Sequence, residues 1–187
     1  MARVGFGGTH RSRSIRTPKF GGPPARARTD VGRRSGRVLR LGRALLRSDS
    51  GWAVSIADQR GKVVYLYFFQ SWCPGCHKRG FSTLKTVSET FRNDDQVAFI
   101  AIQTVFEGFG TNTAKRAKET ADSFGLTCPV GHDGSEETGK PGVMGRYRSG
   151  GTPWTVIVDK TGLVRFNGFA IKPRLAINLI HTLRSAH

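Results

Sequence analysis

Residues 61–84 read GKVVYLYFFQSWCPGCHKRGFSTL, and the order of side chains within them decides the fold. Val63–Phe69 (VVYLYFF) is β-branched or aromatic at almost every position, the composition of a central strand buried on both faces. From Pro74 the pattern changes period. Phe81, Leu84, Val87 and Phe91 fall on one stripe of a helix that ends near Asn93-Asp94. Two cysteines, Cys73 and Cys76, stand where strand gives way to helix.

That position has chemical consequences. The strand delivers Cys73 to the end of the sheet, and Pro74 suits the first helical position, where an N–H has no intrahelical partner. The sulfur of Cys73 then faces unpaired amides and the positive end of the helix dipole, which favour an anion. Cys76 follows one turn later, within reach of a mixed disulfide formed on Cys73. His77, Lys78 and Arg79 add basic side chains beside the pair.

Further elements follow on both sides. Residues 52–57 predict a short strand and 58–61 a turn. Residues 97–102 (VAFIAI) predict a second buried strand, and Ala114, Ala117, Ala121 and Phe124 a second helix closed by Gly125. After a polar loop at 133–141, residues 154–158 (WTVIV) form a third strand, and 159–162 (DKTG) turn into a fourth over 163–169. Pro173 opens a last helix with Ala176, Leu179, Ile180 and Leu183 inward. The order β-α-β-α-β-β-α predicts an α/β fold, a mixed central sheet with helices on both faces.

Residues 61–84 resemble the active-site segment of thioredoxin-like thiol:disulfide oxidoreductases, most closely the TlpA and redoxin branch. In that branch a comparable strand runs into W-C-x-x-C and a helix. Gly151-Thr152-Pro153-Trp154 matches the second motif of the family. The resemblance covers about residues 50–187. It implies a thioredoxin-like three-layer fold, Cys73 as attacking thiolate and Cys76 as resolving thiol. It also implies a cis Pro153 facing the pair, and a docking edge made by Trp72, Thr152 and Pro153. Its partners are protein thiols and disulfides plus an upstream redox protein; no cofactor is needed, and a monomer is expected. Relatives carry an acid near the pair. Val63–Phe69 contains none and the helix opens His-Lys-Arg, so Glu107, just beyond the second strand, is the candidate proton acceptor.

Three rival chemistries use the same residues. Cys-Pro-Gly-Cys-His also fits covalent haem attachment, with Met144 as axial ligand. Cys73, Cys76, Cys128 and His132 make a conceivable Cys₃His zinc set, although Cys128 falls in a predicted strand at 126–131, where a single cysteine acts as a small hydrophobe. Thiol-dependent peroxide reduction occurs in the wider superfamily. Peroxidatic sites carry Thr or Ser three residues before the cysteine and Pro four before that, however, and these positions hold Gln70 and Leu66. The buried strand before the pair and the Thr-Pro after it favour disulfide exchange, with no metal.

The first 50 residues differ in kind. They hold 13 Arg/Lys against Asp30 and Asp49, so +11 of the formal +17 lies there. Gly7-Gly8, Gly21-Gly22 and Pro23-Pro24 predict a disordered leader over 1–50 ahead of a redox domain over 51–187. Residues 37–47 (RVLRLGRALLR) predict a short basic amphipathic helix. Few aromatics accompany the arginines, so nucleic-acid binding is not expected. No apolar run approaches the roughly 20 residues of a membrane span, and no secretory h-region is visible, which makes the cytoplasm the default compartment.

Overall fold

The computed structural model describes residues 45–47, 53–134 and 141–186. In chain order the elements are β1 (Leu45–Arg47), β2 (Ala53–Ser55), a 3₁₀ turn (Ile56–Gln59), β3 (Val63–Phe69), a π-helical turn (Cys76–Gly80) and α1 (Phe81–Thr90). Then come β4 (Val97–Thr104), α2 (Ala114–Ser123), β5 (Val130–Asp133), α3 (Gly142–Tyr147), β6 (Trp154–Val158), β7 (Val164–Phe169) and α4 (Pro173–Ser185). The strands form one mixed sheet in the order β2-β1-β5-β4-β3-β6-β7. At its centre β3 runs parallel to β4 and antiparallel to β6.

Alternation along β3 sorts the core into two layers. Val63, Tyr65, Tyr67 and Phe69 pack with Phe81, Leu84 and Val87 of α1 and with Ala176 and Ile180 of α4. Val64, Leu66 and Phe68 pack with Ile56 of the 3₁₀ turn and with Val143 and Tyr147 of α3. Helices thus cover both faces, as predicted. In α1, FSTLKTVSET, the β-branched and hydroxyl residues each cost up to about 0.7 kcal/mol of helix propensity. Burying Phe81, Leu84 and Val87 completely returns about 1.5–3 kcal/mol apiece, so packing decides the helix.

Several expectations are adjusted. β4 runs on to Thr104, because Gln103 and Thr104, although polar, are fully buried and continue the parallel ladder to His132 and Asp133. β5 starts at Val130, leaving Cys128 half-buried against the core just before it. α3 lies where no helix was predicted. Asp133 makes it: its carboxylate accepts hydrogen bonds from the amides of Gly142, Val143 and Met144 at 2.9–3.2 Å. The helix expected over 37–47 gives way, over Leu45–Arg47, to a strand. β1 pairs antiparallel with β2, and Arg47 stands opposite His132 of β5. Three residues satisfy their backbone groups on an existing sheet edge without the nucleation penalty of an isolated short helix. Over 45–47 the disordered reading of the leader gives way to the same strand; the rest of that helix and of the leader, and the Trp52 start of the first predicted strand, lie outside the described residues. Among those residues, no helix is long and apolar enough to cross a membrane.

Candidate active site

Cys73 occupies the N-cap of the helix that follows β3. Its amide donates to the carbonyl of Gln70 at 3.0 Å, closing a turn, and its carbonyl accepts from the amide of His77 at 3.2 Å, the first helical bond. The side chain completes the cap. The amide of Cys76 donates to Cys73 Sγ at 3.3 Å, the bond that a Ser or Asp oxygen makes at ordinary N-caps. Pro74, at the first helical position, gives up no bond. Both cysteines are free thiols; Cys73 is 6% exposed and Cys76 is not exposed. Burial, followed by its hydrogen bond with Cys73, pushes the Cys76 thiol up to about 12.

The Thr152–Pro153 bond is cis. It brings the Thr152 carbonyl within 3.7 Å of Cys73 Sγ, which donates to it. Pro153 also stands against Gly75, where an added Cβ would meet Pro153 Cδ at 3.3 Å and Cys73 Sγ at 4.0 Å. Trp72 is 51% exposed beside the pair. Its indole N–H donates to Gln70 Oε1 at 3.3 Å, and Asn112 Nδ2 donates to the same oxygen at 3.2 Å. Asn112 Oδ1 in turn accepts the Ser71 amide at 3.2 Å. The loop after β4 is thereby bonded to the active-site turn.

Sequence reasoning brought Cys73, Cys76, Trp72, Thr152 and Pro153 to one place, and these five lie together. Glu107 is exposed in the loop after β4. Its backbone carbonyl accepts from Asn112 Nδ2 at 3.1 Å, and no hydrogen bond joins its carboxylate to either cysteine among the described residues. Beneath the helix stands a phenol that sequence reasoning missed. Tyr67 Oη donates to the carbonyl of Cys76 at 3.4 Å, and burial holds its pKa well above the ordinary value. The same carbonyl accepts the amide of Phe81, the i to i+5 bond of the π turn. The available signal was Gly80, an isolated glycine within a helical period. His77 turns away from the sulfurs: Nε2 lies 2.7 Å from the Ser71 carbonyl, and its ring meets Phe81 and Phe124 edge-on.

The other candidate ligands lie apart from the pair. His132 Nδ1 is 3.3 Å from Gln103 Nε2, and burial lowers its pKa. Burial pushes the Cys128 thiol up to about 11, in keeping with a small hydrophobe. Met144 belongs to α3, whose buried residues pack on the opposite face of β3 from the cysteines. Among the described residues no group of three or more His, Cys, Asp or Glu is placed to hold a metal.

Comparisons with known proteins agree with this geometry. Thioredoxin-like protein YneN of Bacillus subtilis (strain 168) is 26% identical over 120 residues, 64% of each chain. Thiol-disulfide oxidoreductase ResA of Geobacillus kaustophilus (strain HTA426) is 26% identical over 110 residues, 59% of this chain and 56% of that one. The chain spans about three fifths of the length of these curated relatives. Among solved structures, the thioredoxin-like superfamily protein SPOA0173 superposes with a TM-score of 0.72 at 29% identity, over 80% of this chain and 98% of that one. A thiol-disulfide isomerase from Corynebacterium glutamicum gives 0.69 at 29% identity, over 81% and 97%. The model of the AhpC/TSA family matches residues 44–167. That span is well over half of the sequence and takes in both Cys73–Cys76 and Thr152–Pro153, so the chain belongs to the AhpC/TSA family, on the redoxin branch of the thioredoxin-like thiol:disulfide oxidoreductases.

Proposed function

We propose that this chain exchanges disulfides with protein partners through Cys73 and Cys76. The observation that carries the reading is the bond from the Cys76 amide to Cys73 Sγ: a sulfur in the N-cap position has a donor already aimed at its negative charge. In the reducing direction the Cys73 thiolate attacks one sulfur of a partner disulfide, and the other partner sulfur leaves as a thiolate that takes its proton from solvent. Cys76 then attacks Cys73 Sγ, the Cys73–partner bond breaks, and a Cys73–Cys76 disulfide remains. Cys76 is held protonated by burial, so its proton passes to the departing partner sulfur as the new bond forms. An upstream thiol protein returns two electrons; run backwards, the same steps oxidise the partner.

The surroundings suit a polypeptide substrate. Exposed Trp72 flanks the entrance, and the backbone at Thr152 presents an edge beside the sulfur. The test is a pair of substitutions. Cys76→Ser retains attack and loses release, so mixed disulfides with partner proteins accumulate on non-reducing gels. Cys73→Ser abolishes insulin reduction; retained activity in that variant overturns the reading.

A further inference from the structure

Beside Pro153 lies a cleft of about 380 Å³ that the exchange steps do not use. Tyr65, Tyr67 and Thr155 line it from the sheet. Lys78 and Arg79 of the π turn line it on one side, and Lys172, just ahead of α4, on another. No Asp or Glu lines it. All three cations are exposed, and none is ion-paired among the described residues. The Tyr67 proton is already given to the Cys76 carbonyl, but Tyr65 Oη and Thr155 Oγ1, buried at the floor and 3.4 Å apart, need only one of their two protons for each other and keep the second as a neutral donor. The site therefore combines three positive charges at its rim, one hydroxyl donor at its floor and an apolar wall, a combination that suits a carboxylate on a short aliphatic stem.

Its place relative to the sulfur says how the carboxylate arrives. Pro153 borders the cleft, and its neighbour Thr152 touches Cys73 Sγ. A chain whose sulfur meets Cys73 passes Pro153 at about 3.3 Å per residue, so side chains two or three positions from that cysteine reach the cleft. We infer that the cleft receives an Asp or Glu side chain lying two or three residues from the reactive cysteine of a protein partner. The inference rests on the disulfide-exchange reading and specifies its substrates as acidic around the cysteine. A second copy of this chain is a poor occupant, since it carries 30 basic residues against 13 acidic.

The experiment uses the full reduced chain and three octapeptides, each with one cysteine disulfide-linked to 2-thiopyridine. Glu, Ser or Lys occupies the positions two and three residues from that cysteine. Single-turnover release of pyridine-2-thione reports attack of Cys73 on the peptide sulfur; Cys76 then frees the peptide thiol, so the two protein thiols supply both electrons. At low salt the Glu peptide should react at least fivefold faster than the Ser peptide and tenfold faster than the Lys peptide. That preference should shrink severalfold in 0.5 M NaCl, where charges are screened beyond about 4 Å. Arg79→Gln with Lys172→Gln should bring the Glu/Ser ratio close to one. Arg146→Gln with Arg148→Gln, which removes as much charge from α3 and its C-cap, should preserve it. Equal rates for the three peptides overturn the cleft assignment and leave disulfide exchange standing. A ratio lost equally in both double variants also overturns it, because only the overall field would then be at work. Release from none of the peptides overturns the exchange reading and the cleft with it.

Discussion

The ring of Tyr67 occupies the space that a side chain on residue 80 would need. A Cβ placed on Gly80 would overlap the phenol oxygen and stand 2.6 Å from Cζ. The same phenol donates to the Cys76 carbonyl, and the helix between the two contacts is wound as a π turn. An aromatic wedge from β3 thus sets the path of the backbone that carries Cys76. π turns of this kind recur at functional sites, where a single wide turn re-aims the residues beside it.

Gly80→Ala tests the wedge by sign. Helix propensity alone makes alanine about 0.8–1 kcal/mol better than glycine in a helix interior. Overpacking against Tyr67 should reverse this and cost about 1–3 kcal/mol. Adding Tyr67→Phe should recover only part of the loss, because Cζ stays in the way. Urea unfolding of the reduced proteins measures all three; a stabilised Gly80→Ala protein would show that nothing wedges the turn.

Cys76 should answer pH as a buried thiol. In Cys73→Ser protein, iodoacetamide labelling of Cys76 should climb about tenfold per pH unit from 7 to 10 without a plateau, since burial keeps this thiol protonated up to about 12. Its folded value lies above its ordinary 9.0, so the unfolded chain ionises first. Reduced protein therefore loses stability as pH rises from 9 towards 12, and Cys76→Ala should blunt the loss. A labelling plateau near pH 8 would contradict the burial argument.

Truncation separates the leader from the sheet. Deleting residues 1–43 leaves β1 in place, and the melting temperature should stay within a few degrees of the full chain. Deleting residues 1–50 strips β1 from β5 and leaves β2 without a partner. With a handful of backbone hydrogen bonds worth about 0.5–1.5 kcal/mol each, the second truncation should cost about 1–3 kcal/mol more. Identical melting curves would mean that β1 adds nothing to the domain.

Asp133 holds α3 by three amides. Asp133→Ala should destabilise the protein by about 0.5–2 kcal/mol, and Asp133→Asn, which keeps one oxygen, by less. Hydrogen exchange at Gly142–Tyr147 should quicken in both variants in that same order. Unchanged protection of those amides would place the support for α3 elsewhere.

Much of the domain was legible before any coordinate. Val63–Phe69 and Trp154–Val158 match their predicted strands residue for residue, and α2 starts at the predicted Ala114. Cys73 stands where β3 gives way to the helix, with the Cys76 amide and the Thr152 carbonyl beside its sulfur. These features are written in short periods, in proline and glycine chemistry and in cysteine spacing, all of which act over a few neighbouring residues. What stayed hidden depends on partners remote in the chain. α3 has six residues, two of them glycine, and exists because Asp133 caps it while Val143 and Tyr147 are buried. β1 exists because the edge of β5 awaits it, although its own sequence reads as helix. The sequence by itself determined a pair of cysteines at the mouth of a central strand, where a helix begins. Only the tertiary structure decided that Tyr67 would underlie it, that Gln70 and Asn112 would hold Trp72, and that three cations would gather beside Pro153. A side chain's chemistry is local, whereas its neighbours across the sheet are chosen by packing.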